Sequence, residues 1–266
     1  MYILFFFLIF IFSGCSQGKN QPLKQVKQNE TTKDSRMNTT PSVYMTIIDD
    51  DAKIDVWKKM KPIAEDEGIP ITLAVPVQYN NGVEMMTKDQ LLALQNMGWE
   101  MAGHSYHHVD LTKCTDEELY TEIVDSKNTL ASWGLKIKNI VYPYGSGTEE
   151  RCKTLSSKYY NCGVRVGGGY NVRPINKFML NRVALGSYFD AHDITGQGLA
   201  TSTFEYYKAC LDQTIKYNGW IIFMTHSAEP GYDKIQQQYT KDLIDYAKSK
   251  NVAIVNLQDG YEAFNK

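Results

Sequence analysis

The chain has 266 residues, 43% of them hydrophobic, and its 28 basic and 30 acidic side chains leave a formal net charge of −2. With no run rich in Lys or Arg and no interleaving of basic and aromatic residues, this balance excludes the electrostatic footprint of a nucleic-acid partner. Weakly charged polymers stay open as partners, and the length allows a sizeable buried core.

Met1 to Phe12 is an almost unbroken apolar run, too short to span a bilayer comfortably and followed by Ser13-Gly14-Cys15, the shape of a secretory signal ending in small residues. Phe12-Ser13-Gly14-Cys15 resembles a bacterial lipobox. That resemblance implies residues 1–15 as a signal peptide, lipid attachment at Cys15 and a membrane-anchored protein on the extracytoplasmic face; an ordinary cleaved signal with a nearby Cys is the alternative. Residues 16–40 are rich in Gln, Lys, Asn, Ser and Thr and cannot bury a core, so the expectation is a disordered tether reaching roughly 25 to 30 Å. Residues 41–266 then form one α/β domain.

From Val43 onward, short β-branched runs alternate with amphipathic stretches, the order that a parallel sheet with crossover helices requires. The expected strands are 43–48, 71–76, 99–103, 139–142, 162–166, 179–185, 220–225 and 252–257. The expected helices are 56–67, 88–97, 116–133, 149–159, 203–217 and 236–249. Thr115 with Glu118 spells a capping box, and Gly68, Gly98 and Gly134 stand where helices should stop. Cys114, Cys152, Cys162 and Cys210 lack the close spacing of a zinc knuckle; disulfides, with Cys152–Cys162 the first pair to test, and simple burial are both open.

Polar residues recur just after the expected strands: Asp49 and Asp50, His104, Tyr144 and His226. In a barrel, strand C-termini converge on one face, so these five from four segments should meet. His104 and His108, four residues apart, can turn their rings to one side of a helical turn, and a carboxylate from a neighbouring strand end would complete a three-ligand metal face. Taken singly, an Asp pair can cap a helix and a His-x-x-x-His can be a surface coincidence.

Four blocks together resemble the NodB-type polysaccharide deacetylases, carbohydrate esterase family 4, in their Pro-Tyr-Gly subset. They are Ile47-Ile48-Asp49-Asp50-Asp51, His104-Ser105-Tyr106-His107-His108, Tyr142-Pro143-Tyr144-Gly145 and Phe223-Met224-Thr225-His226. The resemblance implies a distorted (β/α) barrel of seven to eight mostly parallel strands. It further implies a divalent metal, usually Zn²⁺, on Asp50, His104 and His108, with Asp49 as general base. His226 would be the general acid, and the backbone N–H of Tyr144 an oxyanion donor. Pleating supports splitting two adjacent carboxylates between ligation and base, since neighbouring side chains on an extended segment face opposite ways. Asp51 stands at the family's Gly, and the Arg that pairs with the base in many members is absent from its usual place. Arg182 is the candidate replacement, with a surface Arg on a strand edge the alternative, while His107 should point away from the metal. The implied substrate is an acetylated polysaccharide carrying N-acetylglucosamine, with Tyr106, Tyr144 and Tyr188 as candidates to stack on sugar rings. An O-acetyl (xylan-type) carbohydrate esterase and a catalytically inactive glycan-binding lipoprotein are the competing expectations.

Overall fold

A computed structural model describes residues 42–187 and 192–266; the expected signal segment, Cys15, the tether and Tyr188 lie outside the described residues. The strands are β1 (Tyr44–Asp49), β2 (Thr72–Val75), β3 (Glu100–Gly103), β4 (Ile140–Val141), β5 (Gly163–Val164), β6 (Val183–Ala184), β7 (Trp220–Thr225) and β8 (Ala253–Ile254). The helices are α1 (Lys61–Glu67), α2 (Lys88–Asn96), α3 (Asp116–Tyr120), α4 (Ser126–Ser132), α5 (Glu150–Ser156), α6 (Phe204–Lys216), α7 (Lys234–Ser249) and α8 (Leu257–Phe264). A π-helical turn, Val56–Met60, leads into α1, and another, Thr121–Asp125, joins α3 to α4.

All strand pairs are parallel, in the order β5-β4-β3-β2-β1-β7-β6. β8 pairs with β1 at Tyr44 and Met45, below the point where β2 joins the same edge at Ile48 and Asp49. Between β5 and β6 the chain makes single bridges, Val164 to Leu180 and Gly167 to Arg182. These stitch the two outer edges of the curled sheet together and account for the expected strand 179–185 shrinking to two paired residues. The expected distorted (β/α) barrel is thus the observed fold.

Two apolar layers follow from the pleat. Tyr44 and Ile48 join Ala74, Ala102, Val141, Val164 and Ile222, drawn from six strands, in the barrel interior. Met45 and Ile47 face the other way and pack with Val56, Leu94, Leu130, Tyr207 and Leu243 of the surrounding helical segments. The capping boxes Thr87–Gln90 and Thr115–Glu118 both close, and Gly68 ends α1 with a left-handed φ of 62°. Cys114, Cys152, Cys162 and Cys210 are free thiols, so the disulfide expectation falls; burial pushes the Cys152 thiol up to about 11.

The floor of the barrel was not foreseen. The expected strand 252–257 stops at Ile254, and Asn256 caps a helix instead, its side chain accepting from Asp259 N. α8 sets Leu257 and Phe264 beside Trp220 under the sheet. It also brings Gln258 to Glu100, whose buried carboxylate accepts from Asn139 Nδ2 at 2.7 Å and Gln258 N at 2.6 Å.

Candidate metal and catalytic centre

Three consecutive carboxylates leave β1 at the C-terminal rim, and backbone geometry sends each to a different place. Asp49 continues the odd-numbered face and is fully buried; its Oδ1 accepts from Ser227 N at 3.2 Å. Burial outweighs that hydrogen bond and pushes its carboxyl well above the usual range. Asp50 continues the interior face, where Arg182 Nη1 donates to Oδ1 at 2.9 Å and to Oδ2 at 2.8 Å, both residues being buried. His226 Nε2 lies 3.7 Å from the same Oδ2. The chain then turns through left-handed conformations at Asp51 (φ 79°) and Ala52 (φ 51°). This is the turn that a Gly would favour, and it folds Asp51 back over the rim.

Asp51 Oδ1 consequently lies 3.1 Å from His108 Nε2 and 3.5 Å from His104 Nε2. The histidine segment is a loop and not the expected helical turn, because Ser105 (φ 64°) and His108 (φ 56°) are both left-handed. His108 N donates to Ser105 Oγ at 2.9 Å, and the two imidazole centroids stand 4.8 Å apart. His104 Nδ1 faces the carbonyl of Val141 at 2.7 Å, so it must carry the proton and leave a lone pair on Nε2. Although burial disfavours the imidazolium, the Asp50 and Asp51 carboxylates hold the pKa of His104 above its ordinary value.

These groups fit a divalent cation. Asp51, His104 and His108 present three ligand atoms within 4.8 Å of one another, all buried. Asp51 Oδ1 and His104 Nε2 are buried acceptors without a hydrogen-bond donor. Two facing lone pairs in a dry site need a shared positive charge, and two imidazoles with one carboxylate form a donor set suited to zinc. The grouping differs from the sequence expectation in its carboxylate. Asp50, expected as ligand, has its carboxylate engaged by Arg182, with Oδ2 3.8 Å from His104 Nε2, and Asp51 is the carboxylate that groups with both imidazoles. Asp49, expected as base, faces away from the cavity.

That cavity, of about 310 Å³, is lined by Asp50, Asp51, His104, His108, Arg182 and His226 among others. Tyr144, 63% exposed on its rim, has its ring 4.8 Å from that of His108. Tyr79 stacks on the other side of His108, centroids 4.0 Å apart. Its hydroxyl is pushed up to about 12 by burial, with the Asp51 charge adding to it. Buried Lys53 donates to the carbonyls of Tyr79 at 2.7 Å and Val83 at 3.2 Å, fastening the loop that carries this ring. His107 points outward, as expected, onto Glu122. Asp51, Tyr79, Lys53 and Glu122 escaped the sequence reading; the extra Asp in the family's Gly position was the one available signal.

Residues 36–163 match the Polysaccharide deacetylase family model. The protein YxkH of Bacillus subtilis (strain 168) is 24% identical over 149 residues, 54% of this chain, and the match spans about half (53%) of that relative's length. The chitin deacetylase of Colletotrichum lindemuthianum superposes with a TM-score of 0.59 at 14% identity, over 84% of this chain and 88% of the other. A family 4 acetyl xylan esterase of Clostridium thermocellum, solved with a cobalt ion, gives 0.55 at 17% identity, over 83% and 91%. The family match thus covers just under half of the chain, and the solved structures share its fold.

Proposed function

We propose that this chain is a metal-dependent hydrolase that removes N-acetyl groups from a polysaccharide containing N-acetylglucosamine. The observation that carries the reading is the division of labour on the rim. One buried carboxylate, Asp51, faces two imidazoles, while its neighbour Asp50 is held apart by Arg182 with an edge toward the cavity. Asp51, His104 and His108 would hold the cation, which when bound polarises the acetyl carbonyl and acidifies water. Asp50, oriented by Arg182, takes the proton from the attacking water. His226, reaching in from the end of β7, gives a proton to the leaving amine, work suited to an imidazole near neutrality. The backbone N–H of Tyr144 is the oxyanion donor in this proposal, and Tyr144 with Tyr79 walls the cavity with aromatic faces able to stack on a sugar ring. Lipid attachment at Cys15, which would hold the domain at the cell surface next to such polymers, is part of the same proposal.

The test is acetate release from acetylated chitooligosaccharides by the purified full-length chain, with metal content measured for each variant. Asp51→Asn loses the metal. Asp50→Asn keeps it and loses about 10²- to 10⁴-fold in rate. Asp49→Asn keeps the metal and most of the rate. Metal loss in Asp50→Asn with none in Asp51→Asn would reverse the assignment, and faster release from O-acetylated xylan than from any N-acetylated glycan would move the activity to ester hydrolysis.

A further inference from the structure

Between its two candidate ligands the loop from His104 to His108 passes through the left-handed region at both Ser105 and His108. Each such non-glycine residue costs on the order of 1 to 3 kcal/mol, a strain that persists only where the surroundings enforce it. Ser105 Oγ, accepting from His108 N, and backbone bonds from Val77 N and Gln78 N hold part of the loop, and a buried carboxylate holds its middle. Glu122, 4% exposed, accepts from Tyr106 N at 2.9 Å and from His107 N at 2.8 Å on one oxygen, and pairs with His107 Nδ1 at 2.6 Å on the other.

Two successive amides converging on one anion make a concave cradle, and bonds to an ionised acceptor are about twice as strong as neutral ones. Every one of these donors belongs to the two residues next to the candidate ligands' side of the loop and none to a ligand ring. Glu122 therefore acts on the backbone that aims the rings, without touching the ion or the substrate. Its own carrier is stiff: the π-helical turn Thr121–Asp125 is bracketed by α3 and α4, and Ile123 and Val124 of the same turn are buried in the outer core.

We propose that Glu122 is a positioning residue that presets the histidine loop for its cation, so that metal affinity is set from outside the coordination sphere. The inference rests on the Asp51-His104-His108 centre proposed above. The experiment titrates the metal-free full-length chain with Co²⁺, reading affinity by calorimetry and coordination geometry by visible absorption, alongside the melting temperature of each metal-free variant. Glu122→Gln, which keeps the volume and one acceptor, is expected to bind Co²⁺ about 10- to 100-fold more weakly, the range for groups that orient ligands from outside, with an altered absorption spectrum. Glu122→Asp restores part of the affinity. His107→Gln, which leaves both amide bonds, loses less than Glu122→Gln. Wild-type affinity and spectrum in Glu122→Gln overturn the proposal, even if its melting temperature falls. Should that variant not fold, Glu122→Asp and His107→Gln both binding as tightly as wild type overturn it instead. Failure of the wild-type chain to bind Co²⁺ at all would refute the metal centre itself, a result distinct from either.

Discussion

Arg182→Met should be the most damaging single substitution in the interior of the barrel. Asp50 and Arg182 are 2% and 3% exposed and share a two-point contact at 2.8 and 2.9 Å. At an effective dielectric near 20, unit charges about 4 Å apart attract by roughly 4 kcal/mol. Replacing the guanidinium by an apolar chain of similar length keeps the packing and leaves the carboxylate buried without its cation, which costs about 3 to 5 kcal/mol. For a domain of this size, that lowers the melting temperature of the metal-free protein by roughly 6 to 20 °C. The measurement is urea unfolding of metal-free wild type, Arg182→Met, Asp50→Asn and the double variant. A coupling of about 2 to 3 kcal/mol is expected, since two residues in one buried network are not additive. Additive losses, or a loss below about 1 kcal/mol in Arg182→Met, would refute the reasoning that the pair is dry and mutually dependent.

Glu100, at the floor, gives a pH signature: burial pushes its carboxyl from an ordinary 4.5 up to about 7. Between those values the folded chain holds a proton that the unfolded chain has released, so this group's contribution to stability falls as pH rises, by about 3 kcal/mol in total. Urea midpoints from pH 4 to 8 should show this slope in wild type and its absence in Glu100→Gln; parallel profiles would count against it. Gly260→Ala, in the interior of α8, should destabilise by about 1 to 2 kcal/mol, although Ala is the better helix former by about 1 kcal/mol. The added Cβ would stand 2.7 Å from the Trp220 ring, and a shifted Trp fluorescence maximum should accompany the loss.

Where each strand and helix lies was largely legible, because most strands of this barrel are short runs rich in apolar residues and bounded by Gly, Pro or polar residues. The sheet's handling of Asp49, Asp50 and Asp51 was not. All six residues of β1 are buried, on both faces, so the strand has no alternation to say which carboxylate points inward. The family's Thr-Phe-Asp-Asp-Gly block, laid on Ile47 to Asp51, consequently did not foresee Asp51 beside the two imidazoles. Asp51 and Ala52 are both left-handed, and the turn that folds Asp51 toward the histidines is information that lives in backbone angles. The histidine spacing foresaw that the two rings meet but not the loop conformation, since a helical turn and a doubly left-handed loop both bring residues four apart together. α8 was lost because Gly260, a poor helix former, sits in its middle; close packing on Trp220 accounts for it, and only the folded chain brings the two together.

The stitch between the two outer edges of the sheet carries more than closure. Arg182 lies within it, bridged to Gly167 through its own backbone, N to O at 3.0 Å. The charge that steadies Asp50 is thus borne on a short, sparsely paired piece of the wall. Any loosening of that seam would withdraw the guanidinium before it disturbed the histidines, which under the proposed function spares the cation site and slows turnover.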